Sequence, residues 1–409
     1  MRIEAVIPGA KLFARARRDA RMAAMNPVFA ALSTSIFETM SMEARARGAV
    51  NLGQGFPDFG WPEDVVAKAA EALTRGSNQY PPMRGLPELR EAVAAHYNAR
   101  QGLALEADQV IVTSGATEAI AATLLALISP GDEVVLFQPL YDAYLPLLLR
   151  AGGVPRFVSL TPPDWRITRD ALAAAFTERT RFVIFNNPHN PTARVFDREE
   201  LGLVAEACVR HDAVAISDEV WEQVLFDGRA HIPLSTFPGM AERTVKIGSA
   251  GKIFSLTGWK VGWIAAPPDL AAAVTKAHQF IAFVTPPNLQ SAVAWGLGKD
   301  ETYYEAMREG FEAARDALAS ALEREGYKVL PAEGTYFLNV DLAASGIGAD
   351  DRTFCERAVR EAGVAAIPVS AFYAQDPVGN VIRLCFAKRQ ETLDAGVGAL
   401  AKARRLFAR

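Results

Sequence analysis

Lys252 stands in the run Ser249-Ala250-Gly251-Lys252-Ile253-Phe254-Ser255-Leu256-Thr257-Gly258-Trp259-Lys260, three residues after a serine and eight before a second lysine. An amine in that setting suits condensation with an aldehyde whose phosphate is held nearby by a hydroxyl, a cation and backbone N–H groups. Taken alone, a lysine is more often a solvated charge and a nearby glycine an ordinary turn. Residues elsewhere in the chain decide between the two.

Pyridoxal phosphate has those parts, and its other atoms find matching residues at the ends of apolar segments. Ala213-Val214-Ala215-Ile216-Ser217-Asp218-Glu219 reads as a buried strand that delivers Asp218 at its carboxyl end, where open α/β sheets bind ligands. A carboxylate there suits the ring nitrogen, because it favours the cationic pyridinium that draws electrons when a Cα proton leaves; a helix cap is the plainer reading. Arg181–Phe185 reads as another strand, and the turn Asn186-Asn187-Pro188-His189-Asn190-Pro191 after it presents the Asn190 amide to a phenolic oxygen. Gln109–Thr113 is a third strand. Behind it Ser114-Gly115-Ala116-Thr117-Glu118 opens a helix pattern from Ala119 to Ile128, so Ala116 and Thr117 can offer backbone N–H groups to a phosphate. The segment is neither a dinucleotide fingerprint nor a nucleoside-triphosphate loop. After the strand Glu133–Phe137, Tyr141 can stack on a planar ring, although an aromatic there is often core. Arg383 is the one charge in the apolar strand Val381-Ile382-Arg383-Leu384-Cys385-Phe386, so it either faces a cleft to grip a carboxylate or forms an internal salt bridge.

With these residues in view, the chain resembles the class I pyridoxal-phosphate aminotransferases of fold type I, in the branch of kynurenine aminotransferase, glutamine transaminase K and bacterial methionine aminotransferase. The resemblance runs from about Pro27 onward and rests on Asn51-Leu52-Gly53-Gln54-Gly55-Phe56-Pro57-Asp58, Asn78-Gln79-Tyr80, Thr257–Trp263, Gly334-Thr335-Tyr336-Phe337 and Ala366-Ile367-Pro368-Val369-Ser370, in that order. It implies that Lys252 condenses with the cofactor and carries the proton between Cα and C4′, that Asp218 binds N1 and that Asn190 binds O3′. It further implies that Ser249, Lys260 and the Ala116 and Thr117 amides hold the phosphate. Tyr80 matches a tyrosine that reaches the neighbouring subunit's phosphate, which implies a homodimer with shared active sites. Arg383 matches the arginine for the substrate α-carboxylate, and Gly55 a glycine beside that substrate. Two positions depart from the pattern: Trp221 stands where a tyrosine hydroxyl usually touches O3′, and Ala193 where glycine is common. Tryptophan keeps a donor but offers no acceptor.

The elements that must position these residues are legible in their order. Strands alternating with helices from about 105 to 265 imply an α/β architecture, a mostly parallel sheet with helices on both faces. Asp197 and Glu200 make a capping box for one helix. Beyond about 300 a long helical pattern, Tyr303 to Glu325, precedes separate strands at 335–341 and 380–386. The expected organisation is a large cofactor-binding domain at 61–299 and a small α+β domain from 26–60 together with 300–409, the N-terminal part joined to it by resemblance. Residues 1–25 read as a disordered extension or the product of an early start codon, since Glu4 and Asp19 interrupt the basic residues and serine is absent.

Composition narrows the function classes. The 409 residues are 50% hydrophobic and 22% charged with a net charge of −4, which gives no electrostatic footprint for nucleic acid. No stretch approaches the ~20 apolar residues of a membrane span. Cys208, Cys355 and Cys385 lack paired spacing and read as reduced core residues of a cytoplasmic protein, and five scattered histidines indicate no metal. A pyridoxal-phosphate-dependent transcription regulator would need a DNA-binding domain ahead of this region, and a nicotinamide dehydrogenase has no motif. The expected activity is therefore ping-pong transfer of an amino group from an amino acid to a 2-oxo acid. The segment His278–Val284, apolar apart from its start, approaches the partner's substrate in relatives and favours a neutral donor such as methionine, an aromatic residue, kynurenine or glutamine. The alternatives are N-succinyl-diaminopimelate transamination, for which Arg84 beside Tyr80 can serve the distal carboxylate, and cysteine-conjugate β-elimination.

Overall fold

A computed structural model describes residues 26–407, so the expectation for residues 1–25 lies outside the described part. The strands in chain order are β1 (Val50–Asn51), β2 (Val110–Thr113), β3 (Glu133–Gln138), β4 (Val154–Ser159), β5 (Thr180–Asn186), β6 (Val214–Asp218), β7 (Thr244–Ser249), β8 (Gly262–Ala265), β9 (Lys328–Val329), β10 (Phe337–Asp341), β11 (Val364–Ala365), β12 (Ile367–Pro368) and β13 (Val381–Cys385).

Seven strands form one sheet in the order β2-β8-β7-β6-β5-β3-β4. Its pairs are parallel except those of β8, which runs against both β2 and β7. Both faces are covered, which is why the strands read as continuous apolar runs rather than alternating ones. In β5, Phe182 and Ile184 point into one core with Ile120 and Leu124, whereas Val183 and Phe185 point into the other with Leu201, Val204 and Cys208. Each such side chain contributes about 1.5–3 kcal/mol on burial, and a one-residue slip would exchange the two faces.

Parallel pairing has a functional consequence. The carboxyl ends of β2, β3, β5, β6 and β7 lie along one edge of the sheet, so Thr113, Gln138, Asn186, Asp218 and Ser249 end up as neighbours although they are far apart in sequence. The helix after β2 is Gly115–Leu127 and starts four residues earlier than its apolar pattern suggests, because small residues rather than apolar ones make its first turn. The Asp197–Glu200 capping box is present at the head of the helix Arg198–Arg210.

A second sheet, β12-β13-β10-β9, is antiparallel, and β1 pairs with β11 in parallel. The long helix is Glu301–Arg324. Leu52 O accepts a hydrogen bond of 2.7 Å from Cys385 N, which ties the segment after β1 to the end of β13. No helix among the described residues is long and apolar enough to cross a membrane.

Candidate active site

A cavity of about 240 Å³ opens at the shared carboxyl edge of the large sheet. That lies below the ~300–1,000 Å³ of pockets for larger organic ligands and leaves room for one small cofactor. Nine residues singled out in the sequence line it: Ala116 and Thr117 at one end, Tyr141 and Trp221 on the sides, and Asn190, Asp218, Ser249, Lys252 and Lys260 around the rest.

One end of the cavity is built for an anion. The first turn of Gly115–Leu127 leaves its N–H groups without helical partners. Gly115 has φ +76°, and a Cβ there would sit 3.1 Å from Lys260 Nζ; a Cβ on Gly262 would sit 2.8 Å from Ala116 N. Only glycine at both positions lets the helix start, the beginning of β8 and the Lys260 ammonium converge. Ser249 closes the arc from the end of β7 and caps the short helix Ala250–Ile253 that carries Lys252.

A buried carboxylate lines the same cavity. Asp218 Oδ2 accepts a 2.5 Å hydrogen bond from Tyr144 Oη, and Oδ1 a longer one of 3.4 Å from Val220 N. Burial pushes the Asp218 carboxyl up to about 6, opposed chiefly by the Tyr144 bond. Asn186 fixes the adjoining loop by donating to Asp218 O at 2.8 Å and accepting from Asn190 N at 2.8 Å. Lys252 Nζ donates to Tyr336 Oη at 2.9 Å and sits 4.5 Å from the centre of the Trp221 ring. Burial pulls its amine down to about 8, with Asp218 pulling the other way.

Arg383 sits behind this cavity, 1% exposed, on β13 opposite Asn339 and Ile367. Its Nη1 donates to Asn190 Oδ1 at 2.7 Å and its Nη2 to Gly53 O at 3.3 Å, while Nε has no partner. The rings of Phe337, Phe372 and Phe37 surround it at 3.8, 4.9 and 5.1 Å. Burial pulls its proton affinity down to about 10. Among the described residues no carboxylate pairs with it, so the internal salt bridge weighed from the sequence does not form and the guanidinium keeps binding capacity. Gly55 joins the same wall: its carbonyl accepts from Tyr336 Oη at 2.8 Å, and a Cβ there would lie 2.6 Å from Phe337 Cζ.

Other candidates lie elsewhere. Tyr80 is outside the cavity and 80% exposed, with its ring 5.6 Å from that of Phe283. Arg84 donates through Nη2 to the Asp108 carbonyl and does not line the cavity. Within the 278–284 segment His278 is buried against Glu118 (2.7 Å) and Met83 O (3.0 Å), whereas Phe280 is 84% exposed.

Three features escaped the reading of the sequence. Tyr144 and Tyr336 hold Asp218 and Lys252, yet as aromatics among apolar residues they read as core; the only signal was that Tyr336 falls in a matching motif. The third is a charge cluster beneath β6 and β7. Lys246 Nζ binds the Glu219 carboxylate and, at 2.8 Å, that of Glu222; His231 Nε2 meets Glu219 at 2.6 Å and Tyr97 Oη donates to Glu222 at 2.9 Å. Glu219, Glu222 and His231 stand close enough together to ligate a cation, but the Lys246 ammonium already binds both carboxylates. The segment 219–222, which follows Asp218 and carries Trp221, is therefore anchored by buried ion pairs whose rupture is costly.

The donor set suits pyridoxal phosphate on chemical grounds: an amine with lowered proton affinity, a buried carboxylate lining the same cavity, and an anion cradle. The comparisons with known proteins agree. The family described as aminotransferase class I and II matches residues 47–400. A probable N-succinyldiaminopimelate aminotransferase of Mycobacterium tuberculosis is 42% identical over 381 residues, covering 90% of this chain and 96% of its own. The methionine aminotransferase of Escherichia coli is 41% identical over 370 residues, with 90% and 96% covered. The solved structure of the M. tuberculosis N-succinyldiaminopimelate aminotransferase superposes with a TM-score of 0.89 at 42% identity, over 93% of this chain and 100% of that one. By sequence match and by fold, the chain belongs to the class I and II aminotransferases.

Proposed function

We propose that this aminotransferase moves the amino group of a neutral amino acid to a 2-oxo acid, with pyridoxal phosphate in the cavity between Asp218 and the Ser249–Lys260 cradle. The observation that carries the reading is the convergence of Lys252, Asp218 and that cradle on one cavity. When bound, pyridoxal phosphate supplies an aldehyde to hold the amino group and a ring that takes up electrons as the substrate Cα proton leaves.

The remaining work falls to the chain. With its amine at about 8, about one Lys252 side chain in ten is neutral at pH 7, against about one in three thousand for an unperturbed lysine. Burial thus supplies a nucleophile, and afterwards a base that takes the proton from Cα. Asp218, at about 6, is mostly ionised at pH 7 and favours a protonated ring nitrogen. Asn190 keeps its amide N–H groups for the phenolic oxygen while its carbonyl orients Arg383. The Arg383 fork grips the α-carboxylate common to all donors, and Gly55 borders the same space.

Apolar surroundings support a neutral donor, since Phe37, Phe337 and Phe372 enclose Arg383 and Arg84 is engaged by Asp108. The name of the 42% identical relative keeps N-succinyl-diaminopimelate as a second reading. The exposed Tyr80 and Phe280 support a homodimer in which Tyr80 reaches the other subunit's phosphate. The separate sheets support a division into a large domain, 61–299, and a small one from 26–60 and 300–409. Three free, buried cysteines are in keeping with the cytoplasm.

The test is addition of pyridoxal phosphate to cofactor-free protein, followed by a donor panel of methionine, phenylalanine, kynurenine, glutamine, aspartate and N-succinyl-diaminopimelate. A visible band that borohydride abolishes, and turnover highest with a neutral donor, are expected. Absence of the band refutes the cofactor assignment; preference for a dicarboxylate refutes the substrate class.

A further inference from the structure

Trp221 offers the cavity an indole N–H and no acceptor, yet a phenol is present at the reacting amine from another element. Tyr336, on the approach to β10, is 1% exposed, and its ring meets that of Trp221 edge-on at 4.3 Å and 87°. A carbonyl can only accept, so the 2.8 Å contact with Gly55 O uses the Tyr336 hydroxyl proton. The oxygen lone pairs are left for Lys252 Nζ, which donates at 2.9 Å. The result is a directed chain, from Lys252 N–H to Tyr336 O–H to Gly55 C=O, with every donor and acceptor role assigned.

We infer that Tyr336 is a positioning residue for Lys252: its hydroxyl receives the lysine amine, fixes which N–H points away from the cavity, and links that amine to the Gly55 loop. The inference rests on Lys252 being the reacting amine. Two features make the arrangement more than packing. The acceptor is fixed in direction, because its own proton is committed to the Gly55 carbonyl, on a segment that packs so closely on Phe337 that a Cβ at Gly55 would lie 2.6 Å from its ring. The amine has no alternative acceptor of the same kind at position 221, since an indole N–H only donates. A neutral amine that points an N–H at Tyr336 is confined in where its lone pair can lie, which is the orientation that attack on a carbonyl requires.

The groups around Lys252 that set its charge are Asp218 on β6, Lys260, and Arg383 and Cys385 on β13. Removing the phenol oxygen leaves all of these in place and takes away one acceptor of the charged form. Tyr336→Phe therefore lowers the pH midpoint at which Lys252 becomes reactive. The measurement is the rate of absorbance change as pyridoxal phosphate condenses with cofactor-free protein, followed as a function of pH. For Tyr336→Phe the midpoint falls by about one pH unit, a tenfold loss of proton affinity, and the high-pH plateau rate also drops. In steady state kcat falls about tenfold or more with KM within about twofold, as expected when a group acts on the chemical step rather than on binding.

A side chain that only fills space would change the plateau or the melting temperature without moving the midpoint. An unchanged midpoint with kcat within twofold of wild type overturns the inference. Wild-type protein that fails to condense at all overturns the cofactor reading instead, so the two failures are distinguishable. If Tyr336→Phe does not fold, 3-fluorotyrosine placed at 336 keeps the shape and weakens the acceptor; its midpoint must move in the same direction, and no movement again overturns the inference.

Discussion

Tyr144→Phe removes a single hydroxyl from a fully buried place and isolates its effect on Asp218. The carboxylate then loses its 2.5 Å donor and keeps only the 3.4 Å contact with Val220 N. A hydrogen bond to a charged group is worth about 1.5–3 kcal/mol, which at ~1.36 kcal/mol per unit raises the Asp218 carboxyl by about 1–2 pH units, from about 6 to about 7–8. The ionised fraction at pH 7 then drops from about nine tenths to between about a half and a tenth. Affinity of the cofactor-free protein for pyridoxal phosphate should fall about two- to tenfold at pH 7, recovering above about pH 9 where both proteins are ionised. Stability carries the same signature with a defined sign. An acid whose folded pKa is raised contributes stability that is present below its unfolded value and lost as pH rises through the folded one. Wild-type cofactor-free protein should therefore lose up to ~3 kcal/mol between about pH 4 and pH 6 from this group, and the variant should go on losing until about pH 8. Cofactor titration and urea unfolding across that range supply both profiles. A defect of equal size at every pH, or profiles that superimpose on wild type, would refute the reasoning, because either result means that the hydroxyl does not control the ionisation of Asp218.

Three further outcomes are expected. Lys252→Ala should lower transamination by several orders of magnitude, since it removes nucleophile and base together, while pyridoxal phosphate still binds without the borohydride-sensitive band; near-normal turnover would contradict the assignment. Arg383→Lys should cost about 1.5–3 kcal/mol, or about ten- to a hundredfold in kcat/KM, and to a similar degree for every donor, because an ammonium cannot copy the planar fork. A panel in which one donor is crippled and the others are untouched would make Arg383 a side-chain selector. Lys246→Met should destabilise the protein by about 3–5 kcal/mol in urea unfolding, since it strands the Glu219 and Glu222 carboxylates in the core; a change below about 1 kcal/mol would mean that water reaches the cluster.

What the sequence by itself determined was the set of groups that must reach a strand end or pay for burial. Asp218 follows five apolar or small residues and Arg383 interrupts an apolar run, so each was conspicuous against its own neighbours, while Ser249 and Lys252 stood out by their spacing to each other and to Lys260. The order of alternating strands and helices implied a parallel sheet, and parallel pairing puts the carboxyl ends of β6 and β7, with Asp218 and Ser249, on the edge where the cavity lies, whereas Arg383 comes from the separate antiparallel sheet. The apolar pattern begins only at Ala119, after the helix start at Gly115 that the segment Ser114–Glu118 opens, because residues close to an anion carry no apolar signal. Tertiary structure alone decided the partners. Tyr144 meets Asp218 across 74 residues and Tyr336 meets Lys252 across 84, and a tyrosine within an apolar stretch looks the same whether its hydroxyl faces water or a buried carboxylate. Lys246 gave no warning either, since one lysine in a strand is ordinary until the fold brings Glu219 and Glu222 to it. Periodicity and composition report which side chains leave water; only the packed chain specifies which polar atoms meet there, because those contacts join segments whose separation in sequence carries no information about their distance in space.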